Sequence, residues 1–287
     1  MANLKELRSR ITSVGSTMQI TSAMKMVSAA KLKRAQDAIT QLRPFAQKLE
    51  EILINVSATL DSSEGVYSRQ TENPSKTLLV VISSNRGLCG AFNANVVKRV
   101  QAYNAENAGQ IDTYFLGKKA GEILVKRGGQ QPIGERNAIY DDLSFENASE
   151  VAEMLMAKFR EGAYDRIELV YNQFVNAATQ RVQCEQFLPI REVEGEGSSN
   201  QAEYIYEPIK EEILEDLIPK SLKTQLFKAL LDSQAAEHGA RMTAMHKATD
   251  NANELKKSLS LEYNKARQAA ITNEILEIVG GAEALNG

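Results

Sequence analysis

SLKTQLFKALLDSQAAEHGARMTAMHKATDNANELKKSLSLEYNKARQAAITNEILEIVGGAEA, residues 221–284, decides the architecture. The stretch has no proline and only the glycines Gly239, Gly280 and Gly281. It is rich in Ala, Leu, Lys, Glu and Gln, all good helix formers. As one helix it runs about 95 Å at 1.5 Å per residue. That exceeds any ordinary globular helix and predicts a coiled coil or a shaft. In its middle, Ala236, Ala240, Ala244, Ala248 and Ala252 recur every four residues and make a narrow ridge of small side chains, on which a second helix can pack at close range. Toward its end Ile271, Ile275, Leu276, Ile278 and Val279 spread round most of the circumference. A helix that is apolar all round is buried on all sides, so the pattern describes an axle whose tip sits inside something else.

The first sixty residues supply a second long helix. Leu4, Leu7, Ile11, Val14 and Met18 alternate in steps of three and four, and Ala35, Ile39, Leu42, Ala46, Leu49, Leu53, Val56 and Leu60 keep the same alternation, which is a heptad seam. Between the two runs the pattern drifts, as a helix does against a strict seven-residue repeat. Ala23, Ser28, Ala29 and Ala30 take over there and can face the alanine ridge. Pro44 removes one backbone bond and is expected to kink the helix near Thr40, yet the seam continues in phase across it.

Between the helices the character changes. Residues 61–75 are polar and turn-rich, a linker or mobile loop. TLLVVIS at 77–83 reads as a buried parallel strand. Further strands are expected at 111–116, 166–171 and 182–190, and helices at 94–105, 118–127 (closed by Gly128 and Gly129) and 145–160. Strands alternating with helices mean an α/β, Rossmann-like domain over 76–192. Residues 193–208 form an acidic Gly/Ser-rich linker, and a helix follows over 209–287 that Pro219 should break or bend. The fold class is therefore α/β plus a long antiparallel coiled coil. A helix (1–60) goes out, a domain is inserted, and a longer helix returns. The domain then lies at one end, both termini lie at the other, and the apolar tip projects past its partner.

With 287 residues, 43% hydrophobic and 25% charged, the composition is that of an ordinary soluble protein. No apolar run approaches a membrane span, and the charged start lacks the apolar core of a signal peptide. Cys89 and Cys184 read as two reduced thiols. The net charge of −3 hides an asymmetry: a basic first helix and a balanced last helix flank an acidic middle. Lys5, Arg8, Arg10, Lys25, Lys31, Lys33 and Arg34 face only Glu6 before residue 35. A solvated helix face, a nucleic-acid surface and a ring of basic groups meeting an acidic protein all account for them. Residues 1–44 hold no aromatic for base stacking, and an acidic protein partner suits an axle best.

SSNRGLCGAFN after the first strand invites comparison with a phosphate loop. It lacks the Lys-Ser/Thr of that motif and the third glycine of a dinucleotide turn. Gly87 and Gly90 are better read as letting the strand turn tightly into the next helix. His238 and His246 stand about 12 Å apart along a helix, too far to share a metal. No nucleophile–base pair stands out, so the chain is expected to be non-catalytic, with no cofactor.

Several stretches taken together resemble a known family. LKELRSRITSVGSTMQITSAMKMVSAAKLKRAQ at 4–36, SSNRGLCGAFN at 83–93, YIYEP at 204–208, EHGARMTAMHKATDNA at 237–252 and YNKARQAAITNEILEIVGGAEA at 263–284 resemble, in order, segments of the gamma subunits of F-type ATP synthases. The last carries that family's Ile-Thr-x-Glu-x-x-Glu and Gly-Ala-x-Ala pattern at 271–284. Residues 61–75 and 130–145 fall outside the resemblance. The resemblance implies a central shaft inside a ring of three alpha and three beta subunits. It also implies binding to epsilon and the membrane c-ring, at the cytoplasmic face of a bacterial inner membrane. Rotation would couple proton flow to ATP synthesis or hydrolysis at the beta subunits. It places Met24, Arg241, Gln268 and Thr272 toward the alpha/beta ring and Tyr204, Tyr206 and Glu207 near the c-ring and epsilon. Ile271, Ile275, Leu276 and Val279 become the tip bearing. The alternatives from other classes are a static coiled-coil tether and a small nucleotide-binding enzyme with helical arms.

Overall fold

The structure, a computed structural model, describes residues 4–57, 66–69, 71, 74–107, 109–127, 132–190 and 210–286. Side chains at 50, 51, 53–57, 210–215 and 283–286 lie outside that description, as do Gly128, Gly129 and the linker expected at 193–208. Two long helices, α1 (Leu4–Ser57) and α5 (Lys210–Asn286), bracket a five-stranded sheet in the sequence. The chain forms two compact units: Ala29–Arg241, and Met1–Ser28 together with Met242–Gly287.

In the larger unit the chain runs β1 (Lys76–Ile82), α2 (Phe92–Glu106), β2 (Gln110–Leu116), α3 (Lys118–Lys126), β3 (Gly134–Glu135), a 3-10 turn at Asn137–Tyr140, α4 (Phe145–Arg160), β4 (Arg166–Phe174) and β5 (Gln180–Leu188). The expected strands and helices are present, with ends shifted by a few residues. β3 and the 3-10 turn fall where no element was expected. The strand order is β3-β2-β1-β4-β5, parallel except for β5, which runs antiparallel to β4.

β1 is central and buried on both faces, which is why TLLVVI is a continuous apolar run. Its alternation sorts two cores. Leu79 and Val81 point with Val170 toward α2 and α3. Leu78, Val80 and Ile82 point with Ile167, Leu169 and Tyr171 toward α4 and toward Leu222, Leu226, Ala229 and Leu230 of α5. The long C-terminal helix is thus one of the covering helices of the sheet. This explains why Pro219 does not end it: Ile218, Leu222 and Leu226, on either side of the proline, pack on the core. Such burial, at roughly 1.5–3 kcal/mol per large apolar side chain, outweighs the loss of one backbone bond. Pro44 does not end α1 either. The carbonyl it leaves without a partner belongs to the exposed Thr40, where water serves. Part of the stretch expected to be a mobile linker is also pinned: Ile190 N–H donates to Tyr67 O at 2.9 Å, and Arg69 lies over the Phe159 ring.

α5 meets the sheet a second time, through the alanine ridge. Ala236 and Ala240 pack against Cys89, Phe92 at the start of α2, and Phe174 of β4, whereas Ala252 of the same ridge is buried in the smaller unit. The neighbouring His238 is buried, and its Nδ1 has no hydrogen-bond partner among the described residues.

The smaller unit is a helix pair. Thr21 Oγ1 and Thr249 Oγ1 hydrogen-bond at 2.8 Å, and Lys256 Nζ lies 3.9 Å from where a Cβ on Gly15 would stand. The opposing index falls as the other rises, so the two helices are antiparallel. On α5 the buried positions Met245, Ala252 and Leu259 are seven apart. On α1 the seam does not drift: Thr21 and Ser28 are buried and continue Leu7, Ile11, Val14 and Met18 in phase. Small hydroxyl side chains occupy the seam because the helix itself satisfies them, Thr21 through Met18 O and Ser28 through Met24 O. Ala23 is exposed, contrary to its expected place facing the ridge. Carried on at this register, Leu4 stands opposite about residue 267. Every residue from 267 to 282 is exposed, as expected for a helix that continues past its partner.

The buried histidine has a pH signature. Burial first, then the charges of Arg241 and Lys31, push its pKa down to about 4. The unfolded chain takes up a proton near pH 6.5, the folded chain only near pH 4, so stability falls as pH drops through that window. The contribution is on the order of 3 kcal/mol. Replacing His238→Gln should flatten the decline between pH 6.5 and 4, read as the urea midpoint of the full chain at each pH. An unchanged slope would show that the imidazole is not held neutral.

Candidate functional site

The loop that follows β1, Ser83 to Ala91, sits at the carboxyl ends of the parallel strands, next to the point where strand order reverses between β1 and β4. Sheets of this kind bind ligands at that place. Here the loop's groups are used within the chain. Ser83 Oγ accepts from Ala120 N–H at 3.2 Å, Ser84 O from Lys119 N–H at 3.0 Å and Asn85 Oδ1 from Lys118 N–H at 3.2 Å. These are the first three N–H groups of α3, the ones that would otherwise cradle an anion. The approach is close: a Cβ on Gly117 (φ 103°) would fall 1.9 Å from Ser83 O, so only glycine fits. Ser84 N–H donates to Asn93 Oδ1 at 3.1 Å, tying the start of the loop to α2. The tight turn uses Leu88 (φ 63°) and Gly90 (φ 60°) in the left-handed region, whereas Gly87, expected to share that task, does not adopt it.

α5 closes the crevice from above. Arg241 donates through one nitrogen to Arg86 O at 3.2 Å and Gly87 O at 3.3 Å, and through the other to Glu237 at 2.6 Å. Both members of the Arg241–Glu237 pair are almost fully covered. Burial raises the Glu237 carboxyl while Arg241 opposes the shift. From the other side comes the β4–β5 hairpin. A Cβ on Gly239 would lie 3.2 Å from Ala177 Cα and 3.3 Å from Ala177 O.

Neither thiol is set up as a nucleophile. Burial pushes the Cys89 thiol up. Burial and a hydrogen bond to Glu168 at 2.8 Å push Cys184 up to about 12, so both stay protonated at neutral pH. Among the described residues no group of three or more His, Cys, Asp or Glu is placed to hold a metal, and no helix is long and apolar enough to cross a membrane.

The residues implied by the resemblance fall in different places. Met24 is half-buried on α1. Gln268 and Thr272 are exposed one turn apart on α5, joined by Thr272 Oγ1–H to Gln268 O at 2.9 Å. Ile271, Ile275, Leu276, Ile278 and Val279 are 48–71% exposed, all on the stretch that runs past α1. Arg241 belongs to the larger unit, where it is buried with its guanidinium bonded to the chain itself. Tyr204, Tyr206 and Glu207 lie outside the described residues. Sequence reading missed the Gly239–Ala177 approach. The only signal for it was a glycine inside a helix, a feature that usually has a packing reason.

Comparison with known proteins places this arrangement. A family model described as ATP synthase matches residues 3–285. The ATP synthase gamma chain of Flavobacterium johnsoniae is 63% identical over 289 residues, covering 100% of both chains. That of Christiangramia forsetii is 63% identical over 290 residues with the same coverage. A solved chain of the central stalk and c-ring of Tetrahymena thermophila mitochondrial ATP synthase is 26% identical at a TM-score of 0.59, covering 80% of this chain and 99% of that one. A rotor chain of Euglena gracilis mitochondrial ATP synthase, 24% identical, shares the fold at a TM-score of 0.70 over 93% of this chain and 98% of that one. The helix pair with its overrunning apolar tip and the inserted sheet are thus those of a chain that belongs to the ATP synthase gamma chain family.

Proposed function

We propose that this chain is the central rotor shaft of an F-type ATP synthase. It couples proton flow through a membrane c-ring to ATP synthesis or hydrolysis at the beta subunits, and it is itself non-catalytic. The observation that carries this is the exposed stretch of α5 past the end of α1, where Ile271, Ile275, Leu276, Ile278 and Val279 face outward in several directions. Apolar surface of that kind is covered in the working protein, and a covering on all sides means a socket. A static tether needs helices but no such tip.

In this reading residues 1–60 and 209–287 form the shaft. Residues 76–192 form the domain that meets epsilon and the c-ring, and 61–75 and 193–208 are linkers. Met24, Gln268 and Thr272 face the alpha/beta ring, and Ile271, Ile275, Leu276 and Val279 form the tip bearing. Tyr204, Tyr206 and Glu207 face the c-ring and epsilon. The complex sits on the cytoplasmic face of the inner membrane. Catalysis belongs to the beta subunits, and no cofactor or nucleic acid is required. Supporting the non-catalytic role, the loop that resembles a phosphate loop lacks the lysine and spends its groups on α3. The purified full chain should therefore show no heat of binding on titration with ATP. Micromolar affinity in calorimetry would restore the nucleotide-binding enzyme.

Rotation is tested by locking it. With Cys89 and Cys184 changed to serine, a cysteine replacing Gln268 is paired with one placed in a beta subunit. A disulfide needs Cα atoms within roughly 7 Å, so it forms in one rotational position. Oxidation of the assembled complex should abolish steady ATP turnover, and reduction should restore it. Full activity in the quantitatively cross-linked complex, at Gln268 and again at Met24, would favour the tether. Survival at Gln268 but not at Met24 would retain rotation and show only that the tip is compliant.

A further inference from the structure

The way α5 engages the two loops at the carboxyl end of the sheet has a use that neither the family resemblance nor the covering role explains. Leu222, Leu226 and Leu230 hold the helix on the sheet by apolar burial, which is non-directional and resists neither rolling nor sliding strongly. Further along the helix the interactions change kind. Arg241 makes three directed bonds, two of them to successive carbonyls of the loop after β1 and one to Glu237 on its own helix. On the opposite loop, Asn176 Oδ1 accepts from Ala178 N–H at 2.9 Å and Thr179 N–H at 2.8 Å, which stiffens the β4–β5 hairpin. That hairpin places the backbone of Ala177 in the notch that Gly239 leaves. Turning the helix by one residue, about 100°, would replace Gly239 with His238 or Ala240, and a Cβ there stands only 3.2 Å from Ala177 Cα, a contact tight enough that the hairpin backbone has to give way.

We propose that residues 236–241 of α5 are a splice that fixes the rotational position of the long helix against its own sheet, with Arg241 and Gly239 as positioning residues. One nitrogen of the planar guanidinium serves both carbonyls while the other holds Glu237, so loop and helix are joined through one rigid group; the single ammonium of lysine does not hold the carbonyls and the carboxylate in that fixed geometry. The sheet, gripped through both loops, then turns with α5 as one body. The role assigned to Arg241 differs from the ring contact that the resemblance implies, because its donors are used inside the chain and its side chain is covered.

The splice rests on the rotor function, and the test is chosen to separate the two. In the assembled complex in membrane vesicles, Arg241→Gln should leave ATP hydrolysis within about twofold of the parent. Proton uptake per ATP hydrolysed should fall by about threefold, because loss of the fork lets the helix slip under load. Should that variant fail to assemble, Arg241→Lys carries the same expectation. The second arm keeps Cys89, changes Cys184 to serine and adds Ala240→Cys, because Ala240 packs in the same cluster as Cys89. Formation of the disulfide is read as loss of both free thiols. Oxidising the staple in the Arg241→Gln background should return the pumping ratio to within about twofold of the parent, and reduction should remove the gain. A direct contact of Arg241 with the ring would not be rescued by a bond inside this chain. An unchanged ratio in the arginine variants, or a loss that the oxidised staple leaves in place, overturns the splice. If the bond from Gln268 to the beta subunit fails to stop turnover, the rotor function falls. If that bond stops turnover and the staple does not rescue, only the splice falls.

Discussion

Leu222, Leu226, Ala229 and Leu230 of α5 close the face of the sheet that β1, β4 and α4 leave open. The other face is closed by α2 and α3, which come from the α/β segment itself. A sheet buried on both faces needs helices on both, so this domain is incomplete without part of the long C-terminal helix. That requirement is why the helix runs unbroken through Pro219, and why its apolar pattern there differs from the seven-residue repeat of Met245, Ala252 and Leu259 further along. One continuous helix serves two packing problems in succession: a sheet face first, a single partner helix later.

The crevice at the carboxyl end of the sheet shows how a ligand-binding topology is put to structural use. Ser83, Ser84 and Asn85 satisfy the first turn of α3, and Arg241 takes the carbonyls of Arg86 and Gly87. A buried polar group without a partner is costly, so a loop whose donors and acceptors are mutually satisfied is stiff. The left-handed backbone of Leu88, a residue that gains nothing from it locally, is tolerated because the surroundings hold it.

Much of this was legible in the residues. The two long helices, the strand–helix alternation and the overrunning tip follow from periodicity, which depends only on which faces are apolar. Of the break or bend expected at Pro219, the break does not occur. A proline costs about 3 kcal/mol inside a helix, and flanking side chains that bury apolar surface against a sheet exceed that. The apparent drift in the α1 seam was also misleading. Thr21, Lys25 and Ser28 keep the phase, but polar and small side chains do not announce a seam. The alanine ridge was legible as a close-packing surface and illegible as to its partner. Ala236 and Ala240 meet Cys89, Phe92 and Phe174, because small residues permit close approach by any backbone or side chain.

By itself the sequence determined the helical lengths, the buried character of β1, the antiparallel return of the chain, and the absence from the loop of the lysine that a phosphate site needs. These depend on spacing and side-chain chemistry, which act over a few residues. Tertiary structure alone decided that α5 covers the sheet, that Arg241 is spent on two backbone carbonyls of a loop far away in sequence, and that Gly239 is a notch for the Ala177 backbone. The last two join residues separated by 62 to 155 positions. Which distant segment fills a gap is settled by the geometry of the folded layers, and no local pattern encodes it.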